Sequence, residues 1–402
     1  MFIRNHIGQY LAWPYEHVFS DAYRITERMD PRQDRGRLED VVAAARASLV
    51  AYSVDDQAPV KVIELVGTGY ERGYAMGAVL KDDVIANVQN MMRVADTVAW
   101  PGQLEAKWRE FEAYVPREYV DELRGLADGS GVSLKLLRRM HAIPEITEQT
   151  CSGWAINNGI SQDGHSYHVR ILDYATYFRV QERPLVAIHR PTDRAGNPTG
   201  NAVANIAWVG FEWSVGGVNE HGLAIGEISG GQPDEVSGER GDGEPMSALI
   251  RRTLAQAKTV DDASAIIRGA RRTMRYAYVL SDWDTSAKIL SGPEFFQSYD
   301  EGDAVPQLGR AYDAFPGFPQ LMYHGYHGAN HEKHIARFTD KHDNLTFDDI
   351  REHARAVALR KNLQLWVYDR EAQELWLGNA VGVKGRAVDQ PLTRIPLAQH
   401  WR

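Results

Sequence analysis

The chain of 402 residues holds a single cysteine, Cys151. One cysteine forms no internal disulfide and builds no thiolate metal site, which excludes a disulfide scaffold and a zinc knuckle. Long apolar runs are missing as well: no stretch of about 18 hydrophobic residues occurs, so a membrane span is not expected. The opening "MFIRNHIGQYLAWPYEHVF" is broken by His, Gln, Pro and Glu and lacks the apolar core of a secretory signal. No basic block stands out from a formal net charge of −9, which argues against a dedicated nucleic-acid surface. Internal repeats and low-complexity tracts are absent too. A reducing cytoplasm is therefore the expected address, where Cys151 persists as a thiol.

What is present is ordinary for a globular chain, with 44% hydrophobic and 25% charged residues, and long enough for a substantial core. The first 60 residues are a polar lead-in carrying one amphipathic helical stretch over 38–52. "VKVIELVGTGYERGYAMGAVLKDDV" reads as a strand over 60–66, a glycine turn, and a helix whose Gly73 and Gly77 permit close packing. Gly67, Gly69, Gly73 and Gly77 do not follow G-x-G-x-x-G, and no Gly-Lys-Ser/Thr follows them, so this is not a phosphate loop. Residues 103–140 read as helical around the turn "DGSGVSL". From Cys151 onward the texture changes to strands separated by Gly, Asn, Asp and Pro turns, interrupted by helices at about 246–270 and 347–360 and closed by the hairpin "NLQLWVYDREAQELWLG". The expected class is α+β, with layered sheets covered by helices. The shift near residue 150 divides a largely helical segment, 1–150, from a strand-rich core, 151–402.

A lone buried cysteine is most often a small hydrophobe. Cys151 instead starts a strand, followed by Ser152 and Gly153, and a nucleophile is the alternative. A thiol nucleophile needs a base. One source is a distant histidine, as in papain-like enzymes, from among 14 in this chain. The other is the residue's own α-amine, released if the bond between Thr150 and Cys151 is cut; with a pKa near 8 it accepts the thiol proton at neutral pH. Arg170 and Asp173 follow the Asp163-Gly164 turn, so their strand can pair antiparallel with that of Cys151. Arg170 beside the thiol favours the thiolate, and Asp173 can accept from Arg170 and orient an ammonium. A surface ion pair is the plainer reading of the two.

"YHGYHGANHEKH" offers His324, His327, His331 and His334. Gly325 and Gly328 break a helix there and no H-E-x-x-H order is present, so no metal is expected. Tyr174, Tyr177, Phe178, Trp208, Phe211, Trp213, Tyr323 and Tyr326 suggest an aromatic-lined pocket, with about half of them serving as plain core.

Four stretches taken together resemble the penicillin acyltransferase-like family (acyl-coenzyme A:6-aminopenicillanic acid acyltransferase and its hydrolase relatives) of N-terminal nucleophile hydrolases. They are "GTGYERGYAMGAVL", "DELRGLADGSGVSLKLL", "TCSGWAINNGISQDGHSYHVRILDY" and "GANHEKHIARF". The resemblance runs from about residue 60 onward. It implies a four-layer αββα sandwich of two stacked, mainly antiparallel sheets, with 1–150 as pro-segment or small subunit and the catalytic core beginning at the nucleophile. It also implies a self-processing amidohydrolase, cut between Thr150 and Cys151, that cleaves a non-peptide amide of the N-acyl amine or N-acyl amino acid type. Catalytic roles fall on Cys151, Arg170, Asp173 and, as oxyanion donor, Asn330. Substrate contacts are expected from Tyr174, Trp213, Asn219 and His331; for Asn219, in the Gly-rich "SVGGVNEHGLAIGE", a structural turn is the alternative. His141 departs from the Asn that many relatives carry before the cut. No cofactor is implied. The expected partners are a small amide and the chain's own N-terminal fragment, with no nucleic acid or membrane, and nothing in the sequence opposes a homo-oligomer. An acyltransferase acting on a small amine, or an unprocessed non-catalytic homologue, are the competing outcomes.

Overall fold

The strand-rich texture after Cys151 resolves into two sheets. The computed structural model describes residues 34–55, 57–147, 150–157, 159–228, 241–306, 317–325, 336, 338, 340 and 344–401, without the side chain of Thr150. Before the cysteine come α1 (Arg35–Ser48), β1 (Val50–Tyr52), β2 (Val60–Gly67), α2 (Gly69–Val79), α3 (Lys81–Val98), α4 (Gln103–Phe111), α5 (Arg117–Ser130) and α6 (Leu134–Ala142). Strands β3 (Thr150–Ile156), β4 (Tyr167–Asp173), β5 (Pro184–Pro191), β6 (Val203–Trp208), β7 (Gly216–Asn219) and β8 (Ala224–Ile228) follow, then α7 (Met246–Gln256) and α8 (Val260–Gly269). The remainder is β9 (Tyr276–Ser281), β10 (Ser286–Ser291), β11 (Phe296–Asp300), β12 (Leu321–Gly325), α9 (Phe347–Val357), β13 (Gln364–Asp369), β14 (Glu374–Asn379) and β15 (Thr393–Pro396).

One sheet has nine strands in the order β1-β2-β5-β6-β7-β8-β9-β10-β11, and the other has six in the order β12-β3-β4-β13-β14-β15. Among the described residues, every pairing between these strands is antiparallel except β2 beside β5, which run parallel from Lys61–Leu185 to Gly67–Pro191. The expected α+β sandwich of mainly antiparallel sheets is thus the observed one. The sheets face each other at β3, β4 and β8. A Cβ on Gly153 of β3 would lie 2.8 Å from the Ile228 side chain of β8, and one on Gly226 of β8 would lie 3.1 Å from Arg170 Cδ of β4. Helices α2, α7 and α8 lie against the nine-stranded sheet. On the six-stranded sheet, Trp154 meets His353 of α9 edge-on at 6.2 Å.

The segment before Cys151 is woven into this sandwich, because β1 and β2 extend the nine-stranded sheet. Helix α2 begins with the capping box of Thr68 and Glu71. It meets α5 backbone to backbone: a Cβ on Gly73 would sit 1.9 Å from Glu122 O, and one on Gly125 1.9 Å from Tyr70 O. Only glycine allows that approach. It brings Arg72 of α2 onto Glu118 and Glu122 of α5.

Candidate active site

Cys151 lies at the head of β3, and the ladder with β4 sets its neighbours. Thr150 stands opposite Asp173, Cys151 opposite Leu172, and Gly153 opposite Arg170. Period-two alternation puts Cys151 and Arg170 on one side of the sheet. The Arg170 stem then crosses the Gly-rich hairpin of β7 and β8, where a Cβ on Gly216 or Gly226 would come within 3.2 or 3.1 Å of its Cδ. Those glycines leave the channel along which Arg170 reaches the thiol.

At the end of that channel Arg170 Nη2 sits 3.7 Å from Cys151 Sγ and donates to Glu227 Oε2 at 2.8 Å. Arg170 Nε donates to the Glu227 carbonyl oxygen at 2.8 Å. The thiol points at the same Glu227 Oε2 from 3.9 Å. All three residues are fully buried. A guanidinium against sulfur favours the thiolate, and a carboxylate beside it accepts from the S–H form. The trio therefore offers both a cation for a nucleophilic sulfur and an acceptor for its proton.

Glu227 was missed in the sequence, although a signal was there. An acid between Gly226 and Ile228, inside an otherwise apolar strand, demands a buried cation. The expected hydrogen bond from Arg170 to Asp173 is corrected accordingly: Arg170 spends its paired N–H groups on Glu227. Residues three apart on a strand point to opposite faces.

Asp173 is nearly buried and accepts from Asn362 Nδ2 at 3.0 Å. Burial raises its carboxyl to about 7, against the opposing pull of the Leu359 N–H, Asn362, Arg386 and Arg170. It stands across the ladder from Thr150, the residue on the near side of the bond expected to be cut. Tyr174 stacks on Phe178 with centroids 5.2 Å apart, and its hydroxyl meets Thr147 Oγ1 at 3.1 Å. Both rings line an apolar cavity of about 30 Å³ together with Leu172, Ile143, Pro144 and Met91. Leu172 is the ladder partner of Cys151, and Cys151 itself is not among the residues lining this cavity.

Two further expectations are not met. Trp213 is fully buried, stacked on Trp108 at 5.7 Å and edge-on to His141 at 4.9 Å, so it belongs to the core beneath α4 and α6. Asn219 donates to Leu254 O at 2.9 Å and Ala257 O at 2.7 Å and accepts from the His221 and Leu223 N–H groups. Its amide is committed to the end of α7 and to its own turn, which is the structural alternative. His141 is likewise internal: Nδ1 donates to Leu137 O at 2.8 Å, Nε2 accepts from Glu212 N–H at 3.0 Å, and burial lowers it to about 4. Asn330, His331, Tyr326, His327 and His334 lie outside the described residues. Among the described residues, two other groups of side chains have metal-ligating spacing, Glu122 with His189 and Glu212 in the interior, and His165 with Asp369 and Glu371 nearer the surface.

No protein-family model matches the chain. Protein dcd1A of Dictyostelium discoideum is 24% identical over 294 residues, covering 66% of this chain and 66% of that protein. Protein dcd1B of the same organism is 24% identical over 318 residues, covering 71% and 61%. The chain thus spans just under two thirds of the length of these relatives. Among solved structures, a variant of the conjugated bile acid hydrolase of Clostridium perfringens is similar at a TM-score of 0.40 and 12% identity, over 62% of this chain and 93% of that one. The Caenorhabditis elegans ortholog of N-acylethanolamine-hydrolyzing acid amidase gives 0.37 and 10%, over 54% and 92%. Penicillin V acylase from Agrobacterium tumefaciens gives 0.31 and 12%, over 63% and 80%. No helix among the described residues is long and apolar enough to cross a membrane.

Proposed function

We propose that the chain is a self-processing cysteine amidohydrolase whose nucleophile is Cys151. The observation that carries this reading is the buried trio of Cys151 Sγ, Arg170 Nη2 and Glu227 Oε2, with separations of 3.7, 2.8 and 3.9 Å. A structural cysteine needs neither a guanidinium nor a carboxylate at its sulfur, and burying that ion pair is costly unless it serves a purpose.

In the continuous chain the thiol is fully covered. The nearest amide carbonyl in sequence is that of Thr150. Attack of Cys151 Sγ on that carbon breaks the C–N bond and leaves a thioester, while the thiol proton passes through Glu227 to the departing α-amine. Water then hydrolyses the thioester and frees the N-terminal fragment, which stays bound through β1, β2 and the helices. The new amine lies on the residue next to Thr150, whose ladder partner is Asp173, so the Asp173 carboxylate holds the ammonium form in place. In turnover the amine takes the thiol proton, the thiolate attacks an external amide carbonyl, and the protonated amine returns its proton to the leaving group. The acyl-enzyme passes to water, or to a small amine in a transferase. Asn330 is the proposed oxyanion donor.

The cavity at Leu172 gives the acyl side of the substrate an apolar wall, which fits an N-acyl amine better than a peptide. Intact-mass measurement and a screen of N-acyl amines test the proposal. Expected are a fragment beginning at Cys151 and release of free acid, both lost in Cys151→Ala. An active or still-cut Cys151→Ala protein would sink it.

A further inference from the structure

A second buried cluster lies on the other side of the nine-stranded sheet from the thiol. Glu122 comes from α5, His189 from β5, and Glu212 from the connection between β6 and β7, and all three are fully buried. One ligand atom from each lies within 4.8 Å of the other two. Arg72 Nε donates to Glu122 Oε1 at 3.0 Å. Glu122 Oε2, both oxygens of Glu212 and His189 Nε2 have no hydrogen-bond partner among the described residues. Buried polar atoms without partners are rare, so four in one place call for something between them.

The spacing indicates what. His189 Nδ1 stands 3.2 Å from Glu122 Oε1 and its opposite nitrogen, Nε2, 4.0 Å from Glu212 Oε2; an imidazole offers one nitrogen to a given ion, so the ion would take a single nitrogen of His189 with one oxygen from each carboxylate. Two ligands on one tetrahedral zinc, with bonds of about 2.0–2.1 Å, are separated by about 3.3 Å. Arg72 and Arg251 are committed to Glu118 and Glu122, with Arg251 Nη2 3.7 Å from Glu122 Oε1, and no guanidinium among the described residues forms an ion pair with the Glu212 carboxylate. Glu212 is also pinned by its backbone, whose N–H donates to His141 Nε2 at 3.0 Å and whose carbonyl accepts from Arg251 Nη1 at 2.8 Å. Second partners of this kind orient metal ligands.

We propose that Glu122, His189 and Glu212 hold a structural divalent cation of the zinc type. The ion would tie α5, upstream of Cys151, to β5 and the 209–215 connection downstream. Its role as a clasp between two fragments rests on the processing proposed above; the site itself does not.

Metal content of purified wild-type and Cys151→Ala protein, by inductively coupled plasma mass spectrometry, tests it. About one divalent ion per chain is expected in both, falling at least tenfold in Glu212→Gln and His189→Gln. In case those variants fail to fold, wild-type protein is unfolded in guanidinium with a chelator and refolded with or without zinc; the melting temperature should rise with zinc. Wild-type protein without a bound ion that refolds to the same melting temperature either way would overturn the site, as would metal content unchanged in folded variants. Because the uncut Cys151→Ala protein reports on the ion, failure of this site and failure of self-processing are told apart.

Discussion

Asp173 provides the most direct way to test the electrostatics of the candidate site. Its carboxyl is raised to about 7 by burial, from 3.8 in the unfolded chain. The difference of roughly three units corresponds to about 4 kcal/mol of proton-linked stability. The sign is fixed by which state holds the proton. Between pH 4 and pH 7 the folded protein keeps a proton that the unfolded chain releases, so stability falls as pH rises through this window and levels off above it. The comparison is best made in the uncut Cys151→Ala background, with and without Asp173→Asn, which retains the Oδ1 acceptor for Asn362. The two proteins should be close in stability near pH 4, and the Asn variant should be the more stable by up to about 4 kcal/mol at pH 8. Urea unfolding at four pH values reads the difference. Processing adds a second arm. A new ammonium within about 4–6 Å of a carboxylate lowers it by 1–3 units, so the cut wild-type protein should lose much of the slope seen in the uncut one. Parallel stability curves with and without Asp173 between pH 4 and pH 8 would refute the burial argument. An equal slope in cut and uncut protein would refute the placement of the amine beside Asp173.

Glu227→Gln leaves the Arg170 guanidinium buried without its carboxylate and should cost about 3–5 kcal/mol in urea unfolding, with cleavage before Cys151 abolished or slowed at least tenfold by intact mass. Replacing both partners, as Arg170→Met with Glu227→Leu, should recover much of that stability without restoring cleavage, which separates the chemistry from the fold. Gly226→Ala places a Cβ 3.1 Å from Arg170 Cδ and 3.3 Å from His168 Nε2, so a loss of about 1–3 kcal/mol and slower processing are expected. Leu172→Ala enlarges the 30 Å³ cavity that Leu172 lines. It should cost about 2–5 kcal/mol and move acyl preference toward bulkier groups in a substrate panel, whereas an unchanged preference would separate that cavity from the substrate.

What the sequence makes legible is what local rules decide. The strand of Cys151, its turn and the antiparallel return through Arg170 follow from period-two alternation and from Asp163-Gly164, and the ladder places Cys151 beside Leu172 and two pairs away from Arg170. The close helix pair follows from glycines four apart. The partner of Arg170 follows from neither, because Glu227 lies 57 residues away on the opposite sheet and the sheets' stacking alone brings it close. The parallel pairing of β2 with β5, across more than 100 residues, is hidden for the same reason. Trp213 shows the converse difficulty: an aromatic in a Gly-rich stretch suits either a pocket wall or a core, and only the ring of Trp108 against it decides. A shared physical cause joins these cases. Charged side chains inside this protein are legible as anomalies where their sequence neighbours are apolar, as for Arg170, Glu212 and Glu227. Their pairing is a property of layers, since Arg170 and Glu227 come from different sheets. The buried acid is thus the better sequence clue to a site in this fold than the histidine or aromatic cluster, because burial forces it to have a partner while those residues can be satisfied by packing alone.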